Sequence, residues 1–323
     1  MKSEKLVAIK HQSATLSIPN GCRVVLCLPC LNEELTLRQV ISDFRRVYPW
    51  LEIHVFDNAS TDNSRQIALA EGVQLVSVPQ RGKGNVVRRM FEGVDADVYV
   101  MVDSDSTYDV QGLLRLLEPI IRGEADMVVG SRLEEHSDKA FRRFHRFGNN
   151  LIQRLLNLLF KSHLTDICSG YRAMSRHFVE SIPLHSGGFE VETELTVYSL
   201  MYGLRVMEVA LPYRERPPHS HSKLRTIQDG YRVLLTIVWL ARDLRPLFFF
   251  SLCGLTIFSA LVLPSFHFFP NALYWHLSLT FLSMGLVMTG LILNTLSVKF
   301  SELRCVKQRE SARRYFSSQK RAA

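Results

Sequence analysis

Short apolar runs alternate with amphipathic segments over roughly the first two thirds of the chain, and most runs end in a polar turn. Such runs predict buried strands, whereas apolar residues at helical spacing predict helices between them. Strands that alternate with helices form a largely parallel sheet with helices on both faces. We expect strands at residues 23–28, 51–56, 73–78, 98–102, 126–130 and 205–212, helices at 37–48, 86–91, 113–121, 194–202 and 226–243, and a polar loop at 164–173.

Polar side chains follow five of the predicted strands at the point where each strand ends. In an open sheet of this kind, ligands bind at the carboxyl ends of the strands. Asp103 and Asp105 follow the apolar run 98–102 directly. Two neighbouring carboxylates repel each other unless a cation lies beside them, and their oxygens suit Mg²⁺ or Mn²⁺, although an ordinary polar turn is the alternative. The residues expected at this edge are Asn32, Glu33, Asp57, Arg81, Lys83, Asp103, Asp105 and Arg132.

Other kinds of site fit the sequence poorly. The segment Gly82–Arg88 begins like a dinucleotide fingerprint, but it lacks the third glycine and follows the third strand rather than the first; no P-loop pattern occurs. Cys27 and Cys30 have no second cysteine pair at zinc spacing. The basic regions lack the aromatic spacing of a nucleic-acid surface, so we expect no nucleic-acid partner.

The end of the chain carries the features of a membrane anchor. No Asp, Glu, Lys or Arg occurs from Leu247 to Val298, and Pro270 divides this stretch into halves that are each long enough to span a bilayer. Arg242 and Arg245 precede it, and residues 299–321 carry eight basic residues against two acidic ones. The positive-inside rule therefore places both flanks in the cytosol. A buried core hairpin is the alternative interpretation.

Four regions follow from these patterns. Residues 1–20 show no signal peptide. Residues 141–147 mix aromatic and basic side chains, and 149–161 form a leucine-rich amphipathic segment that fits the membrane interface or packing on the sheet. We expect an N-terminal leader at 1–21, a catalytic domain with interfacial helices at 22–245, two transmembrane helices at 246–298 and a basic cytosolic tail at 299–323.

Seven motifs in this order resemble the family 2 glycosyltransferases with a GT-A fold, over about Arg23 to Arg245. The resemblance is greatest to the polyprenyl-phosphate branch, which includes the dolichol-phosphate mannose and glucose synthases and whose members also end in membrane helices. The motifs are Pro29-x-x-Asn-Glu-Glu34, Asp57-Asn-x-Ser-x-Asp62, Arg81-Gly-Lys-Gly84, Asp103-x-Asp105, Gly130-Ser-Arg132, Asp166-x-x-Ser-Gly170 and Ser222-Lys223.

The resemblance implies an α/β fold of the GT-A type, Rossmann-like with a mostly parallel sheet, followed by a two-helix transmembrane hairpin. It also implies residue roles. Asp105 is expected to ligate Mg²⁺ or Mn²⁺, with Asp103 and Ser104 beside the ribose and diphosphate. Thr107 stands where mannose synthases have glutamine, which is more similar to the glucosyl and N-acetylhexosaminyl members and leaves the third metal ligand open. The nucleotide-sugar is expected to contact Pro29, Leu31, Asn32, Glu33, Asp57 and Lys83, and its phosphates Arg132, Arg216 and Lys223.

The expected reaction moves a hexose or N-acetylhexosamine from a nucleotide-sugar to a polyprenyl phosphate with inversion, and a UDP-sugar is favoured over GDP-mannose. A lipid phosphate is already ionised and needs no strong general base. The alternatives are a hydroxyl acceptor, which needs a base, and a non-catalytic nucleotide-sugar-binding membrane protein; a homo-oligomer stays open. Near the acceptor we expect the cations Arg132, Arg142, Arg143 and Arg146, and Asp166 and Glu190 are expected to position sugar hydroxyls.

Overall fold

The computed structural model describes residues 18–19, 21–132, 164–218, 226–264 and 273–296. The chain divides into two compact units, Met1–Val233 and Leu234–Ala323, which are described separately. The predicted boundaries after residues 21, 245 and 298 remain predictions. Residues 141–147 and 149–161, with their predicted interface helix, lie outside the described residues.

A seven-stranded sheet forms the first unit, in the order β3-β2-β1-β4-β6-β5-β7. All neighbouring strands are parallel except that β6 runs antiparallel to both β4 and β5. The mostly parallel α/β architecture is therefore confirmed. The strands are β1 Val24–Cys30, β2 Glu52–Asp57, β3 Gln74–Ser77, β4 Val98–Met101, β5 Met127–Ser131, β6 Arg172–Ser175 and β7 Val206–Ala210.

The strand β6 corrects the predicted polar loop at 164–173. It has four residues and begins with Arg172, so it offers neither the length nor the apolar run by which strands are recognised in a sequence. It lies between β4 and β5, with Arg172 opposite Met101 on one side and Val129 on the other. The inserted strand thus brings the loop before it, residues 164–171, beside the ends of β4 and β5.

Helices cover the sheet, and the predicted helical spacing accounts for them. In the first helix, Leu37, Val40, Ile41 and Phe44 are buried, which is the apolar face expected of an amphipathic helix. The helix over 113–121 continues past Pro119, whose carbonyl accepts hydrogen bonds from the backbone of the following turn. In this unit the helices are α1 Leu37–Val47, α2 Ser64–Ala70, α3 Lys83–Gly93, α4 Leu113–Ile121, α5 Arg176–Ser181 and α6 Val191–Met201, and α7 Thr226–Leu244 extends into the second unit.

The strand β1 lies at the centre of the sheet and is buried on both faces, as its nearly continuous apolar sequence predicts. Cys27 and Cys30 are free thiols within it. Burial raises the pKa of Cys30 to about 12, so this thiol stays protonated at neutral pH. The pair therefore belongs to the core of the sheet.

Among the described residues of the second unit, the end of α7 is followed by the apolar helix α8 Pro246–Ile257, which continues as a π-helical turn over Phe258–Val262, and by the apolar helix α9 Leu273–Leu296. In the described part of the chain, α9 is the one helix long and apolar enough to cross a membrane; the other apolar helices are shorter. The Oγ of Ser283 donates to the carbonyl of Gly254 at 2.8 Å. A Cβ on Gly254 would lie 2.8 Å from the Ser283 carbonyl, so glycine lets the helices approach closely.

Candidate active site

The candidate site lies at the carboxyl ends of β1, β4 and β5. Asp103 follows β4, and its Oδ1 accepts a hydrogen bond from Lys83 Nζ at 2.5 Å. Its other oxygen, Oδ2, lies against Gly170: a Cβ atom added to this glycine would be only 2.2 Å from Oδ2. The glycine of the Asp166-x-x-Ser-Gly170 motif therefore makes room for the Asp103 carboxylate.

Asp105 is buried, and the turn around it is tightly bonded. Its Oδ1 accepts from the backbone N and the Oγ1 of Thr107, at 3.1 and 2.5 Å, and its Oδ2 pairs with Arg216 at 2.5 Å. Ser106 between them has φ 62°, a left-handed conformation that costs free energy for a residue with a side chain. Thr107 therefore orients Asp105 in this structure.

Asp103 and Asp105 are the carboxylates at this edge that could hold a divalent cation. Burial, and then the charge of Asp103, raises the pKa of Asp105, while Arg216 and Thr107 oppose that rise. Such repulsion is relieved by a bound cation. No cluster of three or more His, Cys, Asp or Glu side chains suited to a metal occurs among the described residues, so phosphate oxygens and water would complete the shell of a Mg²⁺ or Mn²⁺ ion.

The end of β1 is hydrogen-bonded to the turn that carries Asp103 and Asp105. Ser104 Oγ donates to the carbonyl of Pro29 at 2.7 Å, and Thr36 Oγ1 donates to the Ser104 carbonyl at 2.6 Å. Glu33 is buried beside them, with Arg216 3.9 Å from its Oε1. The predicted donor residues Pro29, Glu33, Ser104 and Asp105 are thus brought together.

Asn32 and Asp57 lie at this edge, but their side chains bond within neighbouring loops. Asn32 has φ 53°, and its Oδ1 accepts from the backbone of Thr61 at 2.7 Å. Asp57 is fully buried and pairs with Arg65 at 3.0 Å. Leu31, next to Asn32, is half-buried. These residues shape the wall beside β1, where the nucleoside was predicted to lie.

Arg132 and Asp166 form a second charged group at the end of β5. The guanidinium donates two parallel hydrogen bonds, from Nε and Nη2, each 2.8 Å long, and the backbone N of Arg132 adds a third at 3.0 Å. Burial alone would raise the pKa of Asp166, but the bonds and charge of Arg132 lower it overall. Asp166 is therefore a firmly ionised partner of Arg132 and a weak proton acceptor.

Lys83 is the buried cation of the site, and it has two carboxylate partners. Its Nζ lies 2.5 Å from Asp103 and 2.5 Å from Glu192 on α6. Burial alone would lower the pKa of Lys83, but the two carboxylates raise it overall, so it stays charged. From the sequence, Glu190 and Glu192 could equally face the site, and Glu190 was the one given a role, because the spacing of acidic residues before a helix start does not show which glutamate faces inward.

Glu190 lies in the loop just before α6. Its Oε1 accepts from the backbone N of Gly188 at 3.0 Å, whereas its Oε2 is a buried oxygen with no hydrogen-bond partner. The other predicted residues on this side, Arg142, Arg143, Arg146 and Lys223, lie outside the described residues.

Backbone hydrogen bonds next to Lys83 join two glycine-containing segments, one at the start of α3 and one before α6. The backbone N of Gly84 donates to the carbonyls of Gly187 and Gly188, at 3.1 and 3.0 Å. A Cβ on Gly84 would lie 2.1 Å from the carbonyl oxygen of Ser186, so only glycine fits there without movement. Asn58 stabilises the loop before α3, since its Oδ1 accepts a hydrogen bond from the backbone N of Gly82 at 2.6 Å.

Arg172 supports the loop before β6 from inside the sheet and was not singled out from the sequence. It is fully buried, and its guanidinium donates to the carbonyls of Ser169 and Ile167 and to Thr196 on α6. A buried arginine in a short polar segment gives no periodic signal. The side chain links the Asp166 loop to the helix that carries Glu192.

The chain is similar in sequence to known glycosyltransferases. The family model described as "Glycosyl transferase family 2" matches residues 25–182. Glycosyltransferase AglJ of Haloferax volcanii is 33% identical over 238 residues, covering 73% of this chain and 78% of that protein. A dolichyl-phosphate hexose transferase of the same organism is 29% identical over 207 residues, covering 64% of this chain and 89% of that protein.

A solved structure shares the fold. Glucosyl-3-phosphoglycerate synthase from Mycobacterium tuberculosis, in complex with Mn²⁺, uridine diphosphate and glucosyl-3-phosphoglycerate, is 26% identical with a TM-score of 0.57. The match covers 68% of this chain and 80% of that one. That enzyme binds a divalent metal together with a nucleoside diphosphate.

Proposed function

This chain belongs to the family 2 glycosyltransferases, and on that premise we propose that it moves a hexose or an N-acetylhexosamine from a nucleotide-sugar to a polyprenyl phosphate. A UDP-sugar is the favoured donor, with GDP-mannose second. The uridine diphosphate in the M. tuberculosis enzyme supports this choice of donor class.

The donor is assigned to the edge formed by β1 and β4. Asp105 and Asp103 would hold Mg²⁺ or Mn²⁺, and the bound ion supplies positive charge to the leaving nucleoside diphosphate. Pro29, Leu31, Asn32, Glu33 and Asp57 form the wall proposed for the nucleoside. Arg216 and Lys83 lie beside the two aspartates and bring further positive charge to the diphosphate.

The observation that carries the acceptor assignment is the pairing of Asp166 with Arg132. A hydroxyl acceptor needs a base to take its proton, and Asp166 is held ionised with a lowered pKa, which makes it a poor one. A phosphate monoester has a second pKa of about 6 and carries its own negative charge at neutral pH. In-line attack by that phosphate on the anomeric carbon inverts its configuration.

The membrane assignment rests on the C-terminal unit. The helix α9 is 24 residues long, and at about 1.5 Å per residue it exceeds the ~30 Å of a bilayer core. We propose that α8 and α9 form the two-helix anchor and that the catalytic unit and basic tail face the cytosol. The dolichyl-phosphate hexose transferase relative supports a lipid-phosphate acceptor at such a surface. Arg142, Arg143 and Arg146 are proposed to attract its phosphate.

A hydroxyl acceptor is the second candidate because of one feature of Glu190. Its Oε2 is buried without a hydrogen-bond partner, so this oxygen is free to accept a hydrogen bond from an acceptor hydroxyl. Glu190 accepts from the backbone of Gly188, in the loop that contacts Gly84 next to Lys83, so it lies near the same carboxyl edge of the sheet. Replacement by glutamine separates the two functions, since a phosphate acceptor does not need this base.

Membranes containing the protein, incubated with polyprenyl phosphate and a panel of radiolabelled UDP- and GDP-sugars, test the proposal. We expect label to enter solvent-extractable lipid with one donor and only when Mg²⁺ or Mn²⁺ is present. Label that enters glycan or protein, with none in the lipid, would favour the hydroxyl acceptor. Membranes from cells without the protein are the control.

A further inference from the structure

Two cations beside the proposed metal ligands, Lys83 and Arg216, each contact two carboxylates rather than one. Lys83 lies between Asp103 and Glu192, with both Nζ to oxygen distances at 2.5 Å. Arg216 lies 2.5 Å from Asp105 and 3.9 Å from Glu33. In both cases one carboxylate is a proposed metal ligand and the other is not.

The pair of Lys83 and Glu192 is the more deeply buried of the two. The side chains of Lys83 and Glu192 are 6% and 7% exposed, against 27% for Arg216. A partly exposed arginine can be stabilised by water, but a buried ammonium left without a carboxylate is costly. Lys83 therefore depends on its two partners.

The backbone fixes Glu192 in reach of Lys83. Lys83 is the first residue of α3, and Glu192 lies in the first turn of α6. The hydrogen bonds from Gly84 to Gly187 and Gly188 hold the starts of these two helices together. The contact is thus built into the fold rather than formed by two mobile surface side chains.

We propose that Glu192 is a positioning residue that retains Lys83 while Asp103 changes partner. In the donor-free enzyme Lys83 balances Asp103. When Asp103 turns to a divalent cation, Lys83 stays charged and in place because Glu192 still neutralises it. This inference rests on the proposed function, since it requires a metal at Asp103 and Asp105.

The inference predicts that Lys83 competes with the metal for Asp103 and that Glu192 weakens that competition. In E192Q the side chain keeps its size and loses its charge, so Asp103 becomes the one carboxylate that holds Lys83. We expect the affinity for Mn²⁺ in the presence of UDP to fall at least about tenfold, as measured by calorimetry on the full chain in detergent.

The matched control is E194Q. Glu194 is a buried glutamate on the same helix, but it accepts from the backbone N of His185 and Ser186 and has no contact with Lys83. We expect its Mn²⁺ affinity to stay within about twofold of the unmodified protein. An equal loss in both variants would show a general effect of the helix and would overturn the inference.

A second pair of variants shows whether Glu192 acts through Lys83. In K83M the competing ammonium is gone, so adding E192Q should change Mn²⁺ affinity no further. The double variant K83M/E192Q leaves no unpaired charge in the pair, which favours folding if E192Q alone is unstable. It should bind Mn²⁺ without nucleotide more tightly than the unmodified protein.

The outcomes separate this inference from the proposed function. Mn²⁺ that binds the unmodified protein with UDP, together with unchanged affinity in E192Q, would refute the role of Glu192 and leave the function standing. A loss of affinity from E192Q that persists in the K83M background would also refute it, because Glu192 would then act directly. Failure of the unmodified protein to bind Mn²⁺ with UDP would overturn both.

Discussion

The two units of this protein follow opposite rules of burial. In the catalytic unit, charged side chains such as Lys83 and Arg172 are buried and bonded to defined partners. In the C-terminal unit, large apolar side chains face outward; Trp275 is 71% exposed and Phe281 is 64% exposed. Exposed apolar surface of this extent is unfavourable in water but suits lipid. This difference in burial is the one that the proposed membrane anchor predicts.

The largest difference between the two units should come from removing the carboxylate of Asp105, which should abolish catalysis without changing membrane attachment. We expect Asp105→Ala to lower sugar transfer by more than about 10³-fold, because Arg216 and a metal ion lose their shared ligand. The protein should remain folded and stay with the membrane fraction, since α8 and α9 are unchanged. Activity near that of the unmodified protein would remove the metal from the mechanism. Asp95→Asn, a change of an exposed partner of Arg176, is the control for charge loss.

Removing the apolar unit should have the converse effect. Deletion of residues 247–323 should move most of the protein from the membrane to the soluble fraction or leave it weakly attached. Binding of UDP with Mn²⁺ should persist, because the residues around Asp103 and Asp105 all lie in the first unit. A truncated protein that resists alkaline extraction as firmly as the full chain would contradict the two-helix anchor.

A smaller effect should come from the contact between the two glycine loops. A methyl group on Gly84 would meet the Ser186 carbonyl at 2.1 Å, so Gly84→Ala should cost about 1–3 kcal/mol of stability and raise the KM for the donor. Gly93→Ala is the matched control on the same helix, since its nearest neighbour would be 3.8 Å away. The test measures the thermal unfolding and the donor KM of both variants. Equal stability and equal KM in Gly84→Ala and Gly93→Ala would show that the two loops are free to separate.

The sequence predicted the sheet well where strands are apolar, and several of the candidate site residues that follow those strands lie close together in the structure. Asp103 and Asp105 lie two and four residues beyond Met101, the last residue of β4, so their place at that end of the sheet could be inferred from the chain alone. The strand β6 could not, because it is short and begins with a buried arginine.

The missed contacts join residues that are distant in sequence. Arg216 meets Asp105, and Glu192 meets Lys83, across 109 residues in the second case. Nothing in a single sequence specifies such pairs, since the first depends on how the loops after β4 and β7 come together and the second on how the loop after β3 meets the loop between α5 and α6. The choice between Glu190 and Glu192 likewise depends on where α6 begins.

The two-helix anchor was predicted from the absence of charge over 247–298, and the structure supports part of it. The helix α9 has the length and composition to cross a bilayer, whereas α8 with its π-helical turn is shorter. The close packing at Gly254 shows that the two helices pair, which sequence composition alone does not reveal.

The most direct test of the central claim compares two acceptors of the same chain length, polyprenyl phosphate and polyprenol, with the purified protein and its donor. Because the acceptor phosphate supplies the attacking charge, we expect transfer to polyprenyl phosphate alone. The rate should fall as the pH drops below about 6, where the phosphate gains a proton. Equal transfer to polyprenol, with a pH dependence that disappears in Glu190→Gln, would contradict the account and identify a glycosyltransferase that uses a base and a hydroxyl acceptor.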